Sequence, residues 1–109
     1  MKIDIKYEND KAVAYLFGEI DHHSAKEIRS QLDSYIITAQ PEIFAIDMGG
    51  ISFMDSSGIG LIMGRYRLMK LIGGSLLVCN VPPHIKRIID LSGVGTLGVL
   101  EYRTKEAMK

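Results

Sequence analysis

Polar and apolar residues alternate from the first positions of the chain, with Ile3, Ile5 and Tyr7 set against Lys2, Asp4, Lys6 and Glu8. A period of two predicts a strand with one wet face. Glu8-Asn9-Asp10-Lys11 is turn chemistry, and Ala12-Val13-Ala14-Tyr15-Leu16-Phe17 is predicted as a second strand paired back on the first. The period then lengthens. Ala25, Ile28, Leu32, Tyr35 and Ile36 recur at helical spacing and predict a helix with one apolar stripe. Ser24 with Glu27 fits a capping box for its start, Asp21 competes as a cap one turn earlier, and Pro41 helps to end it. Ile43-Phe44-Ala45-Ile46-Asp47-Met48 is a short apolar run bounded by Pro41 and by Gly49-Gly50, the pattern of a strand buried on both faces.

A second helical pattern begins near Asp55 to Ser57, runs through Leu68, Met69 and Ile72, and stops at Gly73-Gly74. Arg65, Arg67 and Lys70 occupy its later half, where cations suit the helix dipole. Ser75-Leu76-Leu77-Val78-Cys79 is predicted as another interior strand. Pro82-Pro83 opens a third helix with Ile85, Ile88, Ile89 and Leu91 inward, closed by Gly93. Leu97-Gly98-Val99-Leu100 is a weak last strand at an edge, and Thr104 to Lys109 is predicted as a helical stub. The order β-β-α-β-α-β-α-β predicts a single α/β domain over residues 1–109, a mixed sheet with helices packed against it.

Composition narrows the function. Thirteen acidic and thirteen basic residues give a formal net charge of zero, so no global field draws in nucleic acid or an anionic membrane. No segment approaches the roughly 20 apolar residues of a membrane span, and the charged, alternating start does not resemble a signal peptide, so a cytoplasmic location is expected. The single cysteine, Cys79, permits no internal disulfide and is expected to be a buried structural thiol among its strand neighbours.

The unusual residues gather in Ile51-Ser52-Phe53-Met54-Asp55-Ser56-Ser57-Gly58-Ile59-Gly60-Leu61-Ile62-Met63-Gly64. Asp55, Ser56 and Ser57 are each able to cap the helix, because a short side-chain oxygen reaches the open amides of the first turn. The same amides and the helix dipole favour negative charge, which makes both serines chemically sensible sites for a phosphoryl group. Gly58, Gly60 and Gly64 each cost about 1 kcal/mol against Ala inside a helix. Gly60 and Gly64 lie four apart on one face, and a face without side chains admits another backbone, either the protein's own sheet or a docked partner.

Catalytic and cofactor readings of these motifs fail on spacing. The glycines of 58–64 miss the dinucleotide-binding fingerprint by one residue, and no acid follows about twenty residues after the first of them. No Gly-Lys-Ser or Gly-Lys-Thr forms a phosphate loop. His22 and His23 are adjacent and so point apart, with His84 far along the chain, too few ligands for zinc. A serine hydrolase would need Ser56 or Ser57 with a histidine base, and no nucleophile-elbow sequence surrounds them. On local physics alone, a capped helix and nothing more explains Asp55-Ser56-Ser57-Gly58.

A resemblance adds to this. Gly18-Glu19-Ile20-Asp21-His22-His23, Ser52-Phe53-Met54-Asp55-Ser56-Ser57-Gly58-Ile59-Gly60, Met63-Gly64-Arg65-Tyr66 and Lys86-Arg87, in this order and spacing, resemble the anti-sigma factor antagonists, single STAS domains, and most of all their sporulation members. The resemblance implies a non-enzymatic regulator of transcription that works by partner switching. Unphosphorylated, such a protein binds an anti-sigma factor that is also a serine kinase with its own bound ATP or ADP, and so releases the sigma factor. The kinase phosphorylates the serine directly after the motif's Asp, here Ser56, and a serine phosphatase restores it. Carried over, the partner-binding residues are Asp21, His23, Asp55, Ser56, Ser57, Gly58, Gly60 and Gly64. No metal or cofactor of its own is implied. A scaffold or stressosome-type STAS protein, or a small ligand-binding domain, are the alternatives.

Overall fold

A computed structural model of the chain describes residues 1–97 together with Leu100 and Glu101. Strands β1 (Lys2–Glu8) and β2 (Lys11–Ile20) form the predicted hairpin, turning at Asn9 and Asp10, both in the left-handed conformation. Helix α1 (His22–Ala39) follows, then β3 (Ile43–Met54), α2 (Ser57–Leu71), β4 (Ser75–Cys79), α3 (Pro83–Ser92), a 3-10 turn (Val94–Leu97) and the two-residue β5 (Leu100–Glu101). The sheet runs in chain order, β1-β2-β3-β4-β5, antiparallel only between β1 and β2.

That order decides the layering. Each parallel step is a β-α-β crossover, and right-handed crossovers that all advance in one direction place every helix on the same face of the sheet. Ile28, Leu32 and Ile36 of α1, Leu61, Ile62 and Met69 of α2 and Ile85 and Ile89 of α3 accordingly share one core with Ala14, Leu16, Phe44, Ile46 and Val78. The opposite face carries a smaller buried cluster of Val13, Ala45 and Cys79, bordered by Tyr15 and Leu77. Cys79 is buried there, as expected from its neighbours. Asp47, nearly buried on β3, has both carboxylate oxygens engaged, by the Gly49 amide at 2.8 Å and by the Asn80 side-chain amide at 2.6 Å, which removes the cost of burying it.

Four expectations change. The third strand does not stop at Gly49-Gly50 but continues to Met54, with two irregularities against β2, between the pairs Tyr15↔Asp47 and Phe17↔Gly50 and between Gly18↔Ile51 and Glu19↔Phe53. Each inserts one extra residue into β3. Gly50 is a glycine because Phe17 lies across it: a Cβ there would meet the Phe17 ring and sit 2.8 Å from the Leu16 carbonyl. Leu91, expected inward, is 84% exposed, because the buried stripe of α3 is Ile85 and Ile89 with Ile88 beside it. Leu97 belongs to the 3-10 turn, so the last strand begins later than Leu97; Gly98, Val99 and the predicted stub at Thr104 to Lys109 lie outside the described residues. Helix α1 starts on Asp21 rather than Ser24, for the reason given below.

Candidate functional site

Because β2 and β3 are paired and parallel, the loops that leave their C-terminal ends are neighbours, at the end of a parallel sheet where α/β proteins bind ligands. A hydrogen bond from the Asp55 amide to the Ile20 carbonyl, 3.1 Å, joins them. The loop β2–α1 supplies Asp21, and the loop β3–α2 supplies Asp55, Ser56 and Ser57.

Asp21 caps α1. Its Oδ1 accepts from the amides of His23 at 3.0 Å and Ser24 at 2.9 Å, while the Ser24 hydroxyl accepts the Asp21 amide at 2.9 Å. Ser24 is therefore the reciprocal partner in the capping box, not the cap. The Ser24 amide, foremost among these contacts, holds the Asp21 carboxyl below its ordinary pKa, so it is ionised at neutral pH. His23 is exposed on the first turn beyond it.

Three residues were equally able to cap α2, and the structure gives the task to Asp55. Its Oδ1 accepts the Ser57 amide at 2.8 Å and its carbonyl accepts the Gly58 amide at 3.0 Å. Ser56 already has helical dihedrals (φ −63°, ψ −16°) and its side chain makes no capping bond. Ser56 is exposed, Asp55 and Ser57 half-buried. The amides of the first turn are thus occupied: Ser57 and Gly58 by Asp55, Ile59 by the Ser56 carbonyl at 3.1 Å. A phosphoryl group on Ser56 would find a carboxylate beside it and those amides already bonded, a correction to the expectation that the helix start would receive it well.

The three glycines separate into two kinds. Gly58 is buried, and a Cβ there would collide with the Met54 side chain, itself 2% exposed, so its missing side chain makes room for the core. A Cβ on Gly60 or Gly64 would meet nothing within 4 Å. The protein's own sheet does not require either of them. Gly60→Ala is expected to raise the unfolding free energy by about 1 kcal/mol through helix propensity, while Gly58→Ala lowers it by about 1–3 kcal/mol through overpacking. Urea unfolding of the two variants checks this, and a destabilised Gly60→Ala would show that the open space is filled in solution.

A cleft of about 290 Å³ opens between α1 and α2 beside Ser57 and Gly60, with Lys26 and Arg29 on its α1 side. At its base is Arg65, in the later half of α2 as its sequence position implied. Arg65 is buried, not solvated, and its guanidinium faces Asp33 of α1, Nε to Oδ1 2.7 Å and Nη2 to Oδ2 3.4 Å, with Nη1 donating to the Leu61 carbonyl at 3.3 Å. Burial lowers the Arg65 pKa, and the Asp33 carboxylate opposes that. The only hint in the sequence was position: Arg65 is four residues beyond Leu61, on the helix's inward stripe. His84, the distant third histidine, hydrogen-bonds through Nε2 to the Ser52 carbonyl at 3.0 Å and so braces the end of β3 from α3.

A sequential mixed sheet with its helices on one face is the architecture of a STAS domain. The STAS domain family model matches residues 2–107, and the chain belongs to that family. Within it the chain falls among the anti-sigma factor antagonists: it is 37% identical over 94 residues to the anti-sigma F factor antagonist of Paenibacillus polymyxa, covering 86% of this chain and 80% of that one. The structure of the anti-sigma factor antagonist SpoIIAA in its unphosphorylated form superimposes with a TM-score of 0.81 at 29% identity, covering 96% of this chain and 90% of the other. The phosphorylated form of the Bacillus cell fate determinant SpoIIAA gives a TM-score of 0.73 at 29% identity, covering 96% and 94%.

Proposed function

We propose that this chain binds an anti-sigma factor through the face built from Asp21, His23, Asp55, Ser56, Ser57 and the Gly60–Gly64 side of α2, and thereby releases a sigma factor. Phosphorylation of Ser56 ends the interaction. The anti-sigma factor is itself the serine kinase and brings its own nucleotide, so the exchange takes place in the cytoplasm, and a serine phosphatase resets it. The chain contributes the acceptor hydroxyl and a docking surface and performs no catalysis.

The observation that carries this reading is the state of Ser56. Its neighbours are committed to the fold, Asp55 by the two bonds that start α2 and Gly58 by Met54, whereas the Ser56 side chain is exposed and takes no part in the cap. A hydroxyl with no structural task, on a turn fixed by its neighbours, is suited to modification without refolding. Ser57, the other candidate, lines the cleft against α1 and is less open to an active site. Gly60 and Gly64 support the same face, since no part of the described fold makes use of their missing side chains.

Incubation with the anti-sigma factor of the same genome and ATP, followed by mass spectrometry, is expected to place one phosphate on Ser56. A phosphate on Ser57 instead, or none at all, would sink the proposal.

A further inference from the structure

Of the chain's three phenylalanines, Phe44 is fully buried, while Phe17 and Phe53 are 41% and 48% exposed. The two exposed rings are placed together by the strand register. On β2, Leu16 and Ile20 point to the helices, and on β3, Ile51 and Met54 do. Phe17 and Phe53 therefore stand on the helix-free face, where Phe17 pairs with Gly50 and Phe53 with Glu19. They are diagonal neighbours on adjacent strands, within reach of one ligand surface. The irregularity that inserts Ser52 is what keeps Phe53 on this face; without it, strict alternation from Ile51 would turn the ring inward.

The rings are also held. Phe17 lies across Gly50, with the Lys2 ammonium 5.5 Å from its centroid. The Ser52 hydroxyl donates to the Gly18 carbonyl at 3.3 Å, His84 binds the Ser52 carbonyl, and Met54 is locked under Gly58. Two half-exposed aromatic side chains on a braced backbone, Phe53 three residues before Ser56 and Phe17 diagonal to it on β2, have the form of the aromatic anchors that dominate protein interfaces.

We infer that Phe17 and Phe53 are the apolar anchor of the interface whose polar part is the Asp21–Ser56 loop pair, and that the occupant is the anti-sigma factor, presenting aliphatic side chains to the rings between the charges of Lys2 and Glu19. This rests on the proposed function, because it is continuity with Ser56 that names the occupant.

The test is calorimetry of the full chain against the purified anti-sigma factor of the same genome in ADP, with phosphorylation kinetics in ATP. Phe53→Ala is expected to weaken binding roughly 10- to 100-fold and Phe17→Ala roughly 10-fold. Phe53→Leu, which keeps apolar surface, falls between. Ile37→Ala, at a still more exposed apolar residue near the far end of α1, leaves affinity unchanged. In the kinetics, Phe53→Ala raises KM and keeps kcat, since Ser56 itself is intact. Thermal melts that match wild type exclude misfolding, and if Phe53→Ala melts early the Phe53→Leu result decides. Phe53 and Phe17 variants that bind within about twofold of a wild type that does bind would overturn the anchor alone. A wild type that neither binds nor is phosphorylated would overturn the proposed function, and the anchor with it.

Discussion

Ser56→Asp is expected to bind the anti-sigma factor roughly 100-fold more weakly than wild type, and Ser56→Ala to bind within about threefold of it. The magnitude follows from where the charge sits. Two like charges about 4 Å apart repel by about 1 kcal/mol in water and about 4 kcal/mol at an effective dielectric of 20, so the effect depends on the interface closing over the site. Asp55 is the charge next to it in the chain, and it is held by its bond to the Ser57 amide. The amides of Ser57, Gly58 and Ile59 already have acceptors and offer the new charge no relief. A phosphoserine carries about 1.5–2 negative charges plus bulk, and is expected to exceed the aspartate's effect. Driving a partner from 99% bound to 99% released takes about 5.5 kcal/mol. Calorimetric titration of the three proteins decides the matter, and an Ser56→Asp variant with wild-type affinity would mean that the serine is outside the interface.

Asp33→Ala is expected to destabilise the domain by about 3 kcal/mol, near the lower end of the range for breaking a buried ion pair. Arg65 is 6% exposed and would be left with a buried charge, but Asp33 is 30% exposed, so some water already reaches the pair. In a domain of this size that corresponds to a fall in Tm of roughly 12 °C or more. The double variant Asp33→Leu/Arg65→Met removes both charges and is expected to recover most of the loss, because apolar replacements of a buried pair are often neutral. The pair matters to function as well as stability, since it clamps α1 to α2 and so fixes the two helix starts that carry Asp21 and Ser56. Thermal unfolding with a loss no larger than a surface substitution, about 0.5 kcal/mol, would show that the pair is solvated and dispensable.

The period of the apolar residues was enough to place β1, β2, β4 and the three helices. Capping chemistry placed the helix starts to within a turn. It left the assignment of the cap open because Asp, Ser and Ser satisfy the same amides equally well in one dimension. Only the neighbouring strand separates them, by fixing the Asp55 amide on the Ile20 carbonyl and so aiming its carboxylate at Ser57. The third strand was read six residues short because two insertions in β3 break the period of two and because Gly49-Gly50 has the look of a turn. The glycine at 50 answers to the Phe17 ring on another strand, and no local pattern contains that information.

The burial of Arg65 belongs to the same class. Helix position explained a cation in the later half of α2 but named no partner, because Asp33 lies 32 residues away in sequence and meets Arg65 only when α1 and α2 pack. Leu91 errs in the opposite direction, apolar by type yet left outside by the rotation of α3.

What the sequence determined by itself was the order of elements, the single domain, and a short acid-and-serine segment at a strand-to-helix junction, because these depend on residue type and spacing along one chain. The tertiary structure decided which serine is exposed, which glycines are open, and which face carries the aromatic rings. Those are questions of what lies on the far side of each residue, and strand register and helix packing answer them by bringing together groups that the chain keeps far apart.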